Sequence, residues 1–317
     1  MQEKIIILIP VYNDWEALNI LLPAISPINR NGFLLECLVV NDGSTDIIPT
    51  IAVKDMQVQL LHLTHNIGHQ KALAIGLSYI YENMPCTKIL IMDADGDDRM
   101  EDAMLLLSTA SQYPDKIIMA RRAKRKDAPD IRFFYSLYTW MFRLLTSKSI
   151  RYGNFCSIPY SLLDKIVYNG DTWMHLSASI IKSTIPHVSI NTSKGNRVTG
   201  KSKMNFTGLL MHGIGAIAVF TDIISLRLLV SSALFIVFSF VVLLAILVIK
   251  IFTSLAIPGW ASSLGLSLVI IMLISFFISI FMIFIYIISQ SYKKFIPALH
   301  YKDYLAKNNM FVKQKEI

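Results

Sequence analysis

The chain has 317 residues, 54% of them hydrophobic, and a formal net charge of +8; its mean hydropathy is +0.50. That is too apolar for an ordinary soluble protein, and the excess is concentrated in the C-terminal third. Its three cysteines, Cys37, Cys86 and Cys156, have neither metal-ligand nor CxxC spacing; they suit a reducing compartment and read as packed apolar side chains without a function.

Residues 1 to about 125 alternate strand and helix patterns. Lys4–Ile9, Leu34–Val40, Gln57–Leu63, Lys88–Met92 and Lys116–Ala120 read as strands; Trp15–Ala24, Thr45–Val53, Gly68–Tyr81 and Glu101–Gln112 read as helices between them. This βαβ alternation predicts an α/β fold, a doubly wound, mostly parallel sheet with helices on both faces. The first strand is too short for a signal sequence and lacks a small-residue cleavage site. Ile131–Thr146 carries aromatics at helical spacing (Phe133, Phe134, Tyr138, Phe142), a stripe that suits either a core or a membrane interface. Met204–Ile224 reads as an apolar helix interrupted by Gly208, Gly213 and Gly215 that leads the chain onto a membrane.

Between Arg227 and Lys293 the only charge is Lys250. Leu228–Ile249 and Leu264–Ser289 are each long enough to span a bilayer, and the turn between them holds Pro258, Gly259 and the interface aromatic Trp260. Arg227 precedes the first span; Lys293, Lys294, Lys302, Lys307, Lys313 and Lys315 follow the second. The positive-inside rule then places both termini and the N-terminal domain in the cytoplasm, on a multi-pass protein of the inner (cytoplasmic) membrane. The expected divisions are a catalytic domain over 1–200, an amphipathic juxtamembrane segment over 201–227, the hairpin over 228–292 and a basic tail over 293–317.

The predicted strands end in polar clusters: Tyr12-Asn13-Asp14, Asn41-Asp42-Gly43-Ser44-Thr45-Asp46, His65-Asn66, and the acids Asp93, Asp95, Asp97 and Asp98. Clusters at successive strand ends describe one site across the edge of a sheet. In an extended segment Asp93, Asp95 and Asp97 point the same way, as a hard cation such as Mg²⁺ or Mn²⁺ requires; a solvated acidic turn capping the next helix has the same composition. Asp42 at its strand tip can accept from a base or a ribose hydroxyl, or else belong to a plain helix start with Ser44 or Thr45 as cap. No GxGxxG and no P-loop is present, so neither a dinucleotide enzyme nor a P-loop kinase is supported. Nine Lys or Arg residues and two acids lie between Arg121 and Arg151. Beside a membrane anchor this run suits anionic headgroups or a phosphate substrate better than nucleic acid, with Lys124 and Lys126 on a solvated face. His69, His175 and His212 are candidate functional groups, His69 foremost because it adjoins the Gly68 turn.

Ile9-Pro10-Val11-Tyr12-Asn13-Asp14, Val40 to Asp46, Asn66-Ile67-Gly68 with Ala72 and Gly76, and Asp93-Ala94-Asp95 occur in this order. Together they resemble the successive motifs of family 2 glycosyltransferases with the GT-A (Rossmann-like) fold. Arg197-x-x-Gly200-Lys201-Ser202-Lys203 resembles an element of the polyprenyl-phosphate branch, which includes dolichol-phosphate mannose synthases and bactoprenol glucosyl transferases, the latter with a C-terminal two-span hairpin. The resemblance implies that Pro10, Tyr12, Asp14, Asp42, Asn66 and Gly68 line the nucleotide pocket, with Asp42 facing the base. It places Asp93 near the donor sugar or ribose, with Asp95 and Asp97 holding Mg²⁺ or Mn²⁺ on the diphosphate. Arg121 and Arg132 would clamp the acceptor phosphate, and Arg197, Ser202 and Lys203 would close over the diphosphate. Asp98 is left to cap the next helix.

Three departures stand out. Position 14 is Asp where the family usually has Glu, Gly96-Asp97-Asp98 replaces the more usual Leu-Gln, and Gly153-Asn154-Phe155 has Asn in place of Asp. Asn can neither act as a base nor carry charge. The expected activity is inverting, metal-dependent transfer of a sugar from a nucleotide diphosphate to polyprenyl (undecaprenyl) phosphate at the cytoplasmic face. Nucleic acid is not an expected partner, and a homo-oligomer is left open. The alternatives are a single-step transferase acting on another lipid or glycan, and a silent membrane-anchored binding module. No Gln-x-x-Arg-Trp element of processive synthases is present.

Overall fold

The computed structural model describes residues 3–25, 32–51, 53, 56–122, 129–149, 152–193, 195, 206–253, 259–291 and 295–307. The chain divides into two compact units, Met1–Trp140 with Lys148–Val219 and Lys294–Ile317, and Met141–Ser147 with Phe220–Lys293.

In chain order the elements are β1 (Glu3–Val11), α1 (Trp15–Ile25), β2 (Phe33–Asn41), β3 (Gln57–His62), α2 (His69–Asn83), β4 (Lys88–Ile91), α3 (Met100–Gln112) and β5 (Ile117–Arg122). They are followed by α4 (Pro129–Thr146), β6 (Tyr152–Pro159), α5 (Leu163–Val167), α6 (Leu176–Lys182), β7 (His187–Thr192) and α7 (Phe206–Ala218). The remaining helices are α8 (Thr221–Phe252), α9 (Trp260–Ser291) and α10 (Pro297–His300).

The strands of the first unit form one sheet in the order β3-β2-β1-β4-β6-β5-β7. β6 runs antiparallel to β4 and β5, and every other pairing is parallel. Both faces are covered, and the alternation of strand side chains sorts the core into two layers. Ile6, Leu8, Leu38 and Val40 pack with α2, α5 and α6; Ile5, Ile7, Ile9, Cys37 and Val39 pack with α1 and α3. Each such aliphatic side chain contributes about 1.5–3 kcal/mol on burial. Cys37 and Cys156 are buried free thiols whose pKa values are raised by burial, which keeps them inert.

Three expectations are corrected. Thr45–Val53 holds no helix among its described residues: Pro49 disfavours helical backbone at Ile48, and Ile47 and Ile48 are β-branched. β6 and β7 had no predicted counterpart. β6 carries Gly153, Asn154 and Pro159, which mask it as a loop, and β7 is a short, half-exposed edge strand. The expected helix Met204–Ile224 is two helices, α7 ending at Ala218 and α8 starting at Thr221.

The segment read as a basic tail also behaves differently, since residues 295–306 fold onto the first unit. Tyr301 is 1% exposed; its hydroxyl donates to Glu82 at 2.9 Å and accepts from Asn83 at 3.3 Å. Lys302 pairs with Glu82 at 2.7 Å. Leu305 bridges to Leu63, Thr64 N–H donates to the Tyr304 carbonyl, and Ala306 N–H to that of His62. The segment thus continues hydrogen bonding beyond edge strand β3, which would otherwise present unpaired backbone. Phe295 and Tyr304 lie 3.9 and 5.2 Å from the Trp173 ring.

In the second unit, α8 and α9 are long and apolar enough to cross a membrane, with 17% and 0% of their most apolar stretches buried. A hairpin in a protein core would bury that surface, so lipid is the fitting environment. The buried positions of α8 are Ser225, Ser232, Ser239 and Ile246, a seven-residue repeat that forms a seam. Ser232 and Ser279 hydroxyls meet at 2.6 Å, and small side chains of this kind let two helices approach closely in lipid.

Tyr301→Ala is expected to destabilise the first unit by about 3 kcal/mol, read as a lower denaturation midpoint in detergent, with Tyr301→Phe costing about 1 kcal/mol. In a background without the native cysteines, Ser232→Cys with Ser279→Cys should form a disulfide on mild oxidation. A gel-shift assay that stays reduced would contradict the seam.

Candidate active site

Three loops at the carboxyl ends of β1, β2 and β3 are tied into one piece. Asn13, at φ 52°, donates its backbone N–H to Ser44 Oγ and its side-chain N–H to Thr45 Oγ1; its Oδ1 accepts the N–H groups of Thr45 and Asp46. Ser44 and Thr45 therefore hold Asn13 and cap no helix. Asp42 is 3% exposed, and its two oxygens accept the N–H groups of Ile67 at 2.8 Å and Gly68 at 3.0 Å. Burial raises the Asp42 pKa while these two bonds and the nearby His69 and His65 lower it. Gly43, at φ 65°, has no room for a side chain, since a Cβ there would lie 2.4 Å from the backbone of His65 and Asn66. Asn41 Oδ1 accepts Ser44 N–H, so its amide nitrogen donates to His62 Nδ1 at 3.0 Å. Around this knot, Pro10 is buried, Asp14 half-buried, and Tyr12 and Asn66 exposed.

The acid turn follows β4. Asp93, Asp95 and Asp97 are half-buried and Asp98 is buried. Asp98 accepts the Asp93 N–H at 2.9 Å and so closes the turn, where helix capping was expected; α3 starts two residues later. Asp95 Oδ1 accepts the Asp97 N–H at 3.0 Å, which brings both carboxylates into one tight turn with Gly96 at φ 80°. An all-oxygen pair of this kind suits Mg²⁺ or Mn²⁺, which take one or two carboxylates and complete their shell with substrate phosphate and water. The chain after β7 crosses this turn: Ser193 N–H donates to Asp102, and Gly195 N–H to the Asp97 carbonyl. A Cβ on Gly195 would stand 2.5 Å from the Gly96 carbonyl. The Arg197–Lys203 element begins two residues further on.

Of the three histidines singled out in the sequence, His69 lies beside the acids, and His175 and His212 pack against one another. His69 Nε2 is 3.5 Å from Asp93 Oδ1 and 3.0 Å from Asn154 Nδ2. Loss of hydration pushes the His69 pKa down to about 4, against the opposing pull of Asp42 and Asp95. His175 caps α6, its Nδ1 accepting Ala178 N–H, and its ring lies 4.5 Å from that of His212. Burial first, then His212 and His69, push the His175 pKa down to about 3. From the ordinary 6.5 downward, the unfolded chain takes up protons that these two rings refuse when folded. Acid therefore works against the fold between pH 6.5 and these lowered values.

Arg121 stands near the carboxyl end of β5, where Nε and Nη2 both donate to Asn191 Oδ1 on β7, at 3.0 and 2.8 Å. Asn191 and Gln70 escaped the sequence reading, and nothing local marks them. Asn13 reads in the sequence only as part of the polar cluster after β1; its positive φ and its bonds to the β2 loop emerge in the fold. Arg132 lies in α4, but its side chain, like Arg197, Ser202 and Lys203, lies outside the described residues.

Comparison with known proteins agrees with this architecture. The family model described as "Glycosyl transferase family 2" matches residues 6–166, more than half of the chain. An uncharacterized glycosyltransferase, YkcC, of Bacillus subtilis (strain 168) is 25% identical over 83% of this chain and 82% of its own length. An undecaprenyl-phosphate 4-deoxy-4-formamido-L-arabinose transferase of Photorhabdus laumondii is 28% identical over 40% of this chain, which spans only 39% of that relative. Among solved structures, glucosyl-3-phosphoglycerate synthase from Mycobacterium tuberculosis shares the fold with a TM-score of 0.51, at 12% identity over 70% of this chain and 80% of that one. The ordered strand-end loops, the acid turn and the sheet topology are those of a GT-A fold, and the chain belongs to glycosyl transferase family 2.

Proposed function

We propose that the protein transfers a sugar, with inversion, from a nucleotide diphosphate to a polyprenyl phosphate at the cytoplasmic face of the inner membrane. The observation that carries this reading is the acid turn Asp93–Asp98 at the same sheet edge as the knotted Asp42 loop, in a chain that also holds two membrane-length apolar helices. A lipid acceptor in the membrane is then always within the chain's reach, which raises its effective concentration. The partly covered relative acting on undecaprenyl phosphate supports the same acceptor class. Exposed Trp140, Leu210, Met211 and Ile214 on α4 and α7 supply an apolar surface for the membrane interface.

In this reading Pro10, Tyr12, Asp14 and Asn66 line the nucleotide pocket, with Asp42 fixing its wall through Ile67 and Gly68 while keeping further lone pairs for the base. Asp93 faces the donor sugar, and Asp95 with Asp97 would hold a divalent cation. Such a cation supplies charge neutralisation to the departing diphosphate. An acceptor phosphate oxygen forms the new bond to the anomeric carbon as the bond to the nucleoside diphosphate breaks. The acceptor is already an anion, so it needs orientation and charge balance more than a strong base. Arg121, steadied by Asn191, supplies that through its forked donors, with Arg132, Arg197, Ser202 and Lys203 carried by the motif. Arg227, Lys293 and Lys294 against the lone Lys250 favour the cytoplasmic side for both ends of the hairpin.

Membranes incubated with a panel of nucleotide sugars and undecaprenyl phosphate should yield one lipid-phosphate sugar by mass spectrometry, with release of nucleoside diphosphate. Donor hydrolysis alone, or sugar on another acceptor, would sink the polyprenyl reading. Asp95→Ala should lower turnover by roughly 100-fold or more at an unchanged melting temperature. EDTA should stop the native enzyme, and Mg²⁺ or Mn²⁺ should restore it.

A further inference from the structure

Leu176 N–H donates to Gln70 Oε1 at 2.9 Å. That bond orients the Gln70 amide, whose Nε2 then donates to Asn154 Oδ1 at 3.1 Å. The Asn154 amide is oriented in turn, leaving its Nδ2–H to face His69 Nε2 at 3.0 Å. A backbone N–H can only donate, so the arrows run one way and end on a ring nitrogen that must accept. We infer that Gln70 and Asn154 form a directional relay that holds His69 as a neutral Nδ1–H imidazole beside Asp93, making His69 and Asn154 positioning residues of the acid turn.

The chemistry explains why Asn stands at position 154. An imidazolium 3.5 Å from Asp93 would pair with it and cancel charge beside a turn that has to attract a cation and its diphosphate. Protonation of Nε2 would set N–H against N–H at Asn154, a contact that the relay penalises. With Asp at this position the last arrow would reverse, because a carboxylate only accepts, and His69 would be drawn into the protonated form. His69 and Asn154 are thus read as a matched pair. The groups facing His69 are Asp42 from the end of β2, Asp93 and Asp95 from the acid turn, and His175 before α6. The three acids favour protonation, so the relay and loss of hydration together hold the ring neutral.

This role rests on the acid turn serving the donor, but its test does not need turnover. In full-length protein with ¹⁵N-labelled histidine in lipid nanodiscs, the His69 signals are assigned by their loss in His69→Gln. The native ring should show the Nδ1–H tautomer and stay neutral well below pH 6. Asn154→Asp should raise its titration midpoint by about one to three pH units, and Asn154→Ala should raise it less. Where lipid product is made, the acid limb of the Asn154→Asp pH–rate profile should move up with the NMR midpoint. A native Nε2–H tautomer, an ordinary native titration, or an unmoved midpoint in a folded Asn154→Asp protein would overturn the relay. Loss of the polyprenyl reading alone would leave the NMR result standing.

Discussion

The site depends on one buried carboxylate. Asp42 is almost fully removed from water, and such a charge is costly unless hydrogen bonds replace hydration. The N–H groups of Ile67 and Gly68 meet that need, and in doing so they fasten the end of β2 to the start of α2. Gly43 lets the two backbones close together, and Asn13 binds the β1 loop to the same knot. This edge of the sheet is therefore held by its own hydrogen bonds before any ligand arrives.

The acid turn is organised by the same economy of donors. Asp98 and Asp95 spend oxygens on backbone N–H groups within the turn, so the turn's shape does not rely on a cation. His69 adds bulk and a directed lone pair without adding positive charge. The cationic partners stand elsewhere, with Arg121 held by Asn191 across β5 and β7. The acid turn and the Arg121 guanidinium thus keep opposite charges on separate strand ends, β4 and β5.

Much of this was legible in the chain. Five parallel strands read as apolar runs because both faces of the sheet are covered, and the two apolar helices read from length alone. The four polar clusters marked the strand ends correctly, because a ligand edge needs them there. β6 stayed hidden because Gly153 and Asn154 lower its strand propensity. Thr45–Val53 misled because Asp42-Gly43-Ser44 has the composition of a helix start, while Ser44 and Thr45 are used to bind Asn13, a partner more than thirty residues away. Gln70 could not be singled out at all, since its role exists only once Leu176 is folded beside it.

The return of the chain at residues 295–306 carries a consequence for assembly. Tyr301 reaches Glu82 and Asn83 across 219 and 218 residues of sequence, and Leu305 extends the hydrogen bonding past β3. His62 and Thr64, which bond to this segment, immediately precede the His65–Gly68 loop that Asp42 clasps. Tyr301, the last buried side chain among the described residues of the first unit, is therefore made after both apolar helices. During synthesis, β3 has an open edge and Glu82 lacks Tyr301 and Lys302 until the hairpin is complete, so the unit closes last beside the His65–Gly68 loop. Closing so long a loop is slow but entropically little worse than closing one half its length. The arrangement links full order at the His65–Gly68 loop to completion of the two apolar helices, a coupling that a domain of this fold without them would lack.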